Sequence, residues 1–205
     1  MKEVRDFYGQ FDSCRESHMP LCAEGCPFHL DILTFMDRIC SGRFNPAYKA
    51  YRDSVAFPGI VSRICPGYCQ KHCIRASFDD ALNLPLLEKS VIDLATRTTP
   101  NAYNLPSKNE KIAVIGGGIS GMAFALKMAS RKYDVTIFEQ NASIGGHLRE
   151  LLDEEIYMSE FNLQLQNEKY TLLLNSKASV ILQTGEINVA GAHETVQVYD
   201  DFSVI

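Results

Sequence analysis

Cysteine is concentrated at one end of this chain. Seven cysteines occur in 205 residues, and all lie before residue 74. Six form two tight groups: Cys14, Cys22, Cys26, and then Cys65, Cys69, Cys73, each four residues after the last. Cysteines spaced like this in turns rich in glycine and proline have three uses: metal ligands, a disulfide knot, or small apolar packing groups. The odd count argues against a disulfide framework. The start "MKEVRDFYGQ" lacks the apolar core of a signal peptide, which predicts a cytoplasmic chain with reduced thiols. Clustering in turns argues against plain packing. Cys40 stands apart: it continues the apolar face Ile32, Leu33, Phe35, Met36, Ile39 and is expected in the core.

A second constellation lies in "KIAVIGGGISGMAFALKMASRKYDVTIFEQ", from Lys111 to Gln140. Gly116, Gly118 and Gly121 form G-x-G-x-x-G directly after an apolar run that reads as a buried strand. The first glycine allows a tight turn, the second lets backbone approach a pyrophosphate, and the third lets the helix pack close to the strand. Phosphate would meet free N–H groups at the positive helix end. Glu139 closes the second strand, where a carboxylate can accept from the ribose hydroxyls of an adenosine. Gly145-Gly146 follows in "EQNASIGGHL". The pair resembles the flavoprotein fingerprint, in which two glycines after the acidic strand pack against the FAD pyrophosphate, and with the upstream motif this resemblance favours FAD over NAD.

A flavin downstream also bears on the cysteines. Zinc accepts C-x₃-C spacing, but iron–sulfur clusters are held by the same thiolates and give electrons somewhere to go. Iron–sulfur is therefore the favoured metal.

The elements that must position these groups differ between the two halves. In the first, "DILTFMDRICSG" reads as a helix capped by Asp31 and ended at Gly42. "NPAYKAYRDSVAFP" reads as a helix with Asn45 and Pro46 at its start, stopping before Pro58. "LPLLEKSVIDLATR" reads as a third, amphipathic helix. "TTPNAYNLPSKNE" reads as a linker. The second half begins βαβ, which predicts a parallel sheet. "YTLLLNS", "EINVA" and "ETVQVY" read as later strands. The net charge of −5 with no basic run argues against nucleic acid as a partner. No run of 18 apolar residues predicts a membrane span.

"CRESHMPLCAEGCP", "FPGIVSRICPGYCQKHC", "LPLLEKSVID" and "IAVIGGGISGMAFAL…IFEQNASIGGHL" together resemble the N-terminal half of the glutamate synthase small-subunit family, which includes the N-terminal region of dihydropyrimidine dehydrogenase. The resemblance implies a helical domain with two [4Fe-4S] clusters, followed by FAD and NAD(P)H domains. It implies interleaved ligands. One cluster would take Cys26, Cys65, Cys69 and Glu88; the other would take Cys14, Cys22 and Cys73. The family's remaining cysteine falls at Ser17 here. Ligation by the Ser17 oxygen, substitution by His18, a three-iron cluster and no second cluster all stay open. His18 and His72 are expected at the surface near a cluster. By the same resemblance Gly116, Gly118, Ser120, Gly121, Glu139, Gln140, Gly146 and Leu148 are the candidate FAD contacts. No catalytic residue is assigned.

The expected fold is therefore α + α/β: a helical iron–sulfur domain over residues 1–105, then a partial Rossmann-like FAD-binding domain with a parallel sheet over 108–205. The family's NAD(P)H domain and C-terminal FAD segment are not in the sequence. The resemblance thus implies an oxidoreductase subunit or fragment that transfers electrons between FAD and [4Fe-4S] clusters. Protein partners would supply the nicotinamide site and the rest of the FAD fold. A reading from a different class is a non-catalytic iron–sulfur docking or assembly module with weak or no flavin.

Overall fold

The computed structural model describes residues 20–77, 79–180, 187–190, 196–199 and 202–204. Cys14, Ser17 and His18 lie outside the described residues. The chain divides between Thr98 and Thr99 into two compact units.

The first unit is helical. Its elements are α1 (Leu21–Glu24), α2 (Ile32–Cys40), α3 (Phe44–Val55), α4 (Pro58–Ile64), α5 (Tyr68–Lys71), a 3-10 turn (Ile74–Ser77) and α6 (Leu84–Leu94). Asp31 caps α2 by accepting from the Thr34 N–H at 3.0 Å. Asn83 caps α6 in the same way, from Leu86 N–H at 3.2 Å. Pro58 sits in the first turn of α4, where its missing N–H costs nothing.

Helix α3 begins one residue before Asn45, so Arg43 and not Asn45 stands at its N-cap. The Asn45 carboxamide oxygen instead accepts from the Thr96 and Arg97 N–H groups, at 2.8 and 3.0 Å, and so ties down the chain after α6. Packing joins α2 to α3, and α3 and α4 to α6. Phe35, Tyr51, Phe57, Ile60 and Val91 are all buried between them. At about 1.5–3 kcal/mol per large apolar side chain, this core is what holds the short helices in place.

Cys40 corrects the sequence reading, since it is exposed. Along α2, Ile32 and Phe35 are buried, Met36 and Ile39 are half-buried, and Cys40 closes the helix in the open. The apolar stripe is present, but burial fades toward its C-terminal end.

The second unit is Rossmann-like. Strand β1 (Lys111–Ile115), helix α7 (Ile119–Ser130) and strand β2 (Asp134–Phe138) form the opening βαβ. Then come α8 (Leu148–Leu151), α9 (Glu154–Leu165), β3 (Thr171–Leu173), β4 (Lys177–Val180), β5 (Ile187–Ala190), β6 (Val196–Tyr199) and β7 (Phe202–Val204). One sheet has the order β3-β2-β1-β7 and is parallel throughout. Ile112, Ala113 and Val114 along β1, and Val135, Thr136 and Ile137 along β2, are all buried, as a sheet covered on both faces requires.

The strands read from "EINVA" and "ETVQVY" do not join that sheet. With β4 they form a separate antiparallel sheet, β4-β5-β6. Val189 from β5 packs against Ala113 and Phe138 of the parallel sheet, which attaches one to the other. Among the described residues no helix is long and apolar enough to cross a membrane.

Candidate functional site

Four residues from three separate stretches of the first unit line one pocket. Cys26 lies in the turn after α1, Cys65 follows α4, Cys69 is in α5, and Glu88 is in α6. Leu30, Ile32, Val55 and Val61 form apolar wall between them, and Phe28 and Tyr68 lie at the exposed side. Cys69 is 5% exposed and Glu88 6%. Gly67 takes the left-handed conformation, φ +72°, that turns the chain from α4 into α5. The turn aims the Gly67 and Tyr68 N–H groups at the Cys65 sulfur, and the Gln70 N–H at Cys69.

The electrostatics of this pocket are those of crowded acids in an apolar wall. Burial pushes the Cys65 thiol up, opposed by the Gly67 and Tyr68 N–H groups, while Glu88 and Cys26 add to the rise. Cys69 is pushed up to about 11, first by burial and then by Glu88, Cys65 and Cys26. Burial also raises Glu88, partly offset by a hydrogen bond from Tyr51. Each group therefore favours its proton until positive charge arrives, and metal binding would release those protons. Among the described residues no three such groups converge as ligands of a single ion do. They stand around a pocket instead. Three sulfurs and one carboxylate with N–H donors to two of the sulfurs suit a cluster, whose own iron and sulfide fill the space between ligands.

Cys22 and Cys73 are half-buried. Cys22 is in α1 and Cys73 lies two residues past α5, and these two short helices pack together. Gly25 allows it, since a side chain there would collide with the His72 ring. His72 is exposed and shares a 3.0 Å contact between its Nδ1 and the Tyr68 carbonyl.

In the second unit the glycine motif, the acid and the later glycine pair form one cluster. A Cβ on Gly121 would strike the Gly116 carbonyl oxygen, so α7 can lie this close to the turn only with glycine there. Gly145, at φ +121°, packs against the Tyr157 ring, leaving about 2.8 Å for any added carbon. Its N–H donates to the Gly117 carbonyl at 2.8 Å, and Gly118 and Gly145 form an isolated parallel bridge. Helix α7 has Gly118 as N-cap and no side-chain cap. At Gly116 nothing lies within 4 Å of where a Cβ would be, and at Gly118 the nearest atom is at 3.9 Å. Uncapped N–H groups with open space beside them suit a pyrophosphate. Ser120 and Gln140 are exposed, as is Gly146, whereas Leu148 is buried at the start of α8.

Glu139 is 4% exposed. Its Oε2 accepts from the Gly117 N–H at 2.7 Å, and its Oε1 accepts from Asn141 N and Nδ2 at 2.9 and 2.6 Å. Burial pushes its pKa up, but these bonds, helped by Arg149, outweigh it and hold the carboxyl below the usual glutamate range. A carboxylate has about four acceptor sites. Three are used, so one ribose hydroxyl can be added without displacing a protein donor.

The sequence reading missed Tyr51, Asn141 and Tyr157. A buried tyrosine hydroxyl must find a partner, but nothing in sequence says that the partner is 37 positions away. Asn141 had a local signal, a short amide two residues past the acid.

Residues 5–100 match the family model described as dihydropyrimidine dehydrogenase domain II, 4Fe-4S cluster, and residues 114–164 match an NAD(P)-binding Rossmann-like domain. These matches bear out the chain's resemblance to the glutamate synthase small-subunit family. Among its relatives, the glutamate synthase [NADPH] small chain of Mycobacterium tuberculosis is 28% identical over 160 residues, 73% of this chain and 33% of that protein. The NAD-dependent dihydropyrimidine dehydrogenase subunit PreT of Escherichia coli is 32% identical, over 66% of this chain and 34% of that protein. The NADPH-Fe(3+) oxidoreductase subunit beta of Geobacter sulfurreducens is 34% identical, over 58% of this chain and 18% of that protein. The chain thus spans about a third or less of the length of these relatives.

Proposed function

We propose that this chain is the cluster-bearing and flavin-bearing part of an NAD(P)H-linked oxidoreductase, moving electrons between FAD and [4Fe-4S] within a larger complex. In this reading residues 1–105 form the iron–sulfur domain and 108–205 the FAD-binding domain. The observation that carries it is the meeting of Cys26, Cys65, Cys69 and Glu88 at one pocket, in a chain that also carries an acid-completed dinucleotide fingerprint. When bound, the flavin would accept a hydride's two electrons and release them singly to a cluster.

The chain's own residues bind and tune. Cys26, Cys65, Cys69 and Glu88 would hold one cluster, with the Gly67, Tyr68 and Gln70 N–H groups lowering the charge on the sulfurs. Cys14, Cys22 and Cys73 would serve a second. The turn from Gly116 through Gly118 to Gly121, with Ser120, Gly146 and Leu148, would hold the pyrophosphate. Glu139, flanked by Gln140, would hold the adenosine ribose. A protein partner would supply the nicotinamide site, in keeping with the relatives' names as subunits or chains of enzymes.

The test is anaerobic purification of the chain with iron, sulfide and flavin quantified. Iron with acid-labile sulfide and about one flavin per chain supports the reading. Iron without flavin would favour a docking or assembly module, and zinc in place of iron would end the cluster reading.

A further inference from the structure

We propose that Tyr51 is a positioning residue for the acidic cluster ligand: it fixes the Glu88 carboxylate by a single buried hydrogen bond and sets how strongly that carboxylate donates to iron. The inference rests on the proposed reading of Glu88 as a ligand and extends it to a residue that reading does not contain.

Tyr51 is on α3 and Glu88 on α6, two helices packed against each other. The Tyr51 hydroxyl donates to Glu88 Oε2 at 2.9 Å. Tyr51 is 1% exposed, and its ring is held by Phe35, with centroids 6.0 Å apart. Both Tyr51 and Glu88 line the pocket that Cys26, Cys65 and Cys69 line. Among the described residues the carboxylate has no other hydrogen bond. One oxygen is therefore committed to Tyr51, and the other has no protein donor to satisfy it.

Two consequences follow. A glutamate side chain has three rotatable bonds, and an anchored oxygen removes most of that freedom before any metal binds. The hydroxyl also draws charge from the carboxylate, which makes it a weaker donor. Without that bond the carboxylate would bind iron more strongly. It would favour the oxidised cluster, so the reduction potential would fall.

The experiment uses the full chain, purified anaerobically with its iron, as wild type, Tyr51→Phe, Glu88→Ala and the double variant. Iron and sulfide are quantified, and the reduced cluster is followed by electron paramagnetic resonance during a redox titration. The expected result is that Tyr51→Phe keeps its iron, shifts the midpoint potential to a more negative value and alters the spectrum. In the Glu88→Ala background the same change should shift nothing. An iron-containing Tyr51→Phe protein with an unchanged potential and spectrum would overturn the proposal. So would an equal shift in the Glu88→Ala background, or loss of the cluster in Tyr51→Phe but not in Glu88→Ala, because Tyr51 would then act other than through Glu88. Wild-type protein without iron would instead overturn the cluster reading itself and the proposal with it.

Discussion

The two units gather their candidate cofactor groups in opposite ways. The first collects side chains from stretches far apart in sequence into an apolar pocket, where burial pushes the Cys65, Cys69 and Glu88 groups toward their neutral forms. The second builds its site mostly from backbone, around one carboxylate already held by three hydrogen bonds. A site of the first kind is unsatisfied until a cation arrives, so binding and folding are coupled. A site of the second kind is formed in advance, so the cofactor finds it ready and adds little to the fold.

The largest expected effect follows from that contrast. Cys69→Ala, or removal of iron with a chelator, should empty the pocket of metal and loosen the first unit, while the second keeps its structure. Limited proteolysis resolves the two. Cuts are expected to appear before Thr98 and not within 111–165. Equal protease resistance in iron-loaded and iron-free protein would break the comparison.

Gly121→Ala reverses the direction of damage. The added carbon meets the Gly116 carbonyl oxygen, which is backbone and cannot swing away. Helix α7 must shift off β1, at a cost of about 1–3 kcal/mol or more, as for other overpacked sites. Flavin content should fall sharply and iron should not. A thermal scan with flavin fluorescence, beside an iron assay, reads both.

The same contrast explains what the sequence made legible. The second site is local: Gly116, Gly118, Gly121 and Glu139 fall within one βαβ unit, so spacing alone places them together. The first site is not local. Cys65 and Cys69 announce themselves by spacing, but Glu88 sits on a regular amphipathic helix, and only the family resemblance singled it out. Tyr51 had no sequence signal at all, because its role depends on how α3 meets α6. The strands of "EINVA" and "ETVQVY" were visible by their β-branched residues, yet period-two patterning does not say which sheet a strand will join. Hence the antiparallel β4-β5-β6 was not foreseen. Helix α9 was missed for another reason: "EEIYMSEFNLQL" spreads its apolar residues around the helix and shows no clean stripe.

Glu139 tests the preformed site more finely. Glu139→Ala removes the proposed ribose acceptor and should weaken FAD binding by about 1–3 kcal/mol, with iron unchanged. Its acidity sets a pH signature as well. The folded-state value lies below the ordinary one, so the stabilisation is fully present above the unfolded glutamate value and is lost as pH falls through the folded one. Unfolding of the second unit should therefore become easier on acidification below the usual glutamate range. Glu139→Gln should flatten that slope, and parallel wild-type and variant curves would deny the carboxylate its anchoring role.

The smallest effect separates holding the acid from holding the cofactor. The Asn141 side chain and backbone both donate to Glu139 Oε1, and only the side chain can be removed. A hydrogen bond to a charged group contributes about 1.5–3 kcal/mol when buried, and Asn141 is exposed, so Asn141→Ala should cost the second unit about 1 kcal/mol. Flavin affinity should respond differently. Losing the amide frees an acceptor site on Oε1, and with the open site on Oε2 the carboxylate can then take two ribose hydroxyls instead of one. Asn141→Ala is thus expected to be slightly less stable without flavin, yet to bind FAD no more weakly than wild type. Chemical denaturation of the flavin-free protein and equilibrium titration with FAD measure the two separately. If affinity falls as far as in Glu139→Ala, the side chain of Asn141 is needed to orient the acid for the ribose, and the preformed site depends on a single amide.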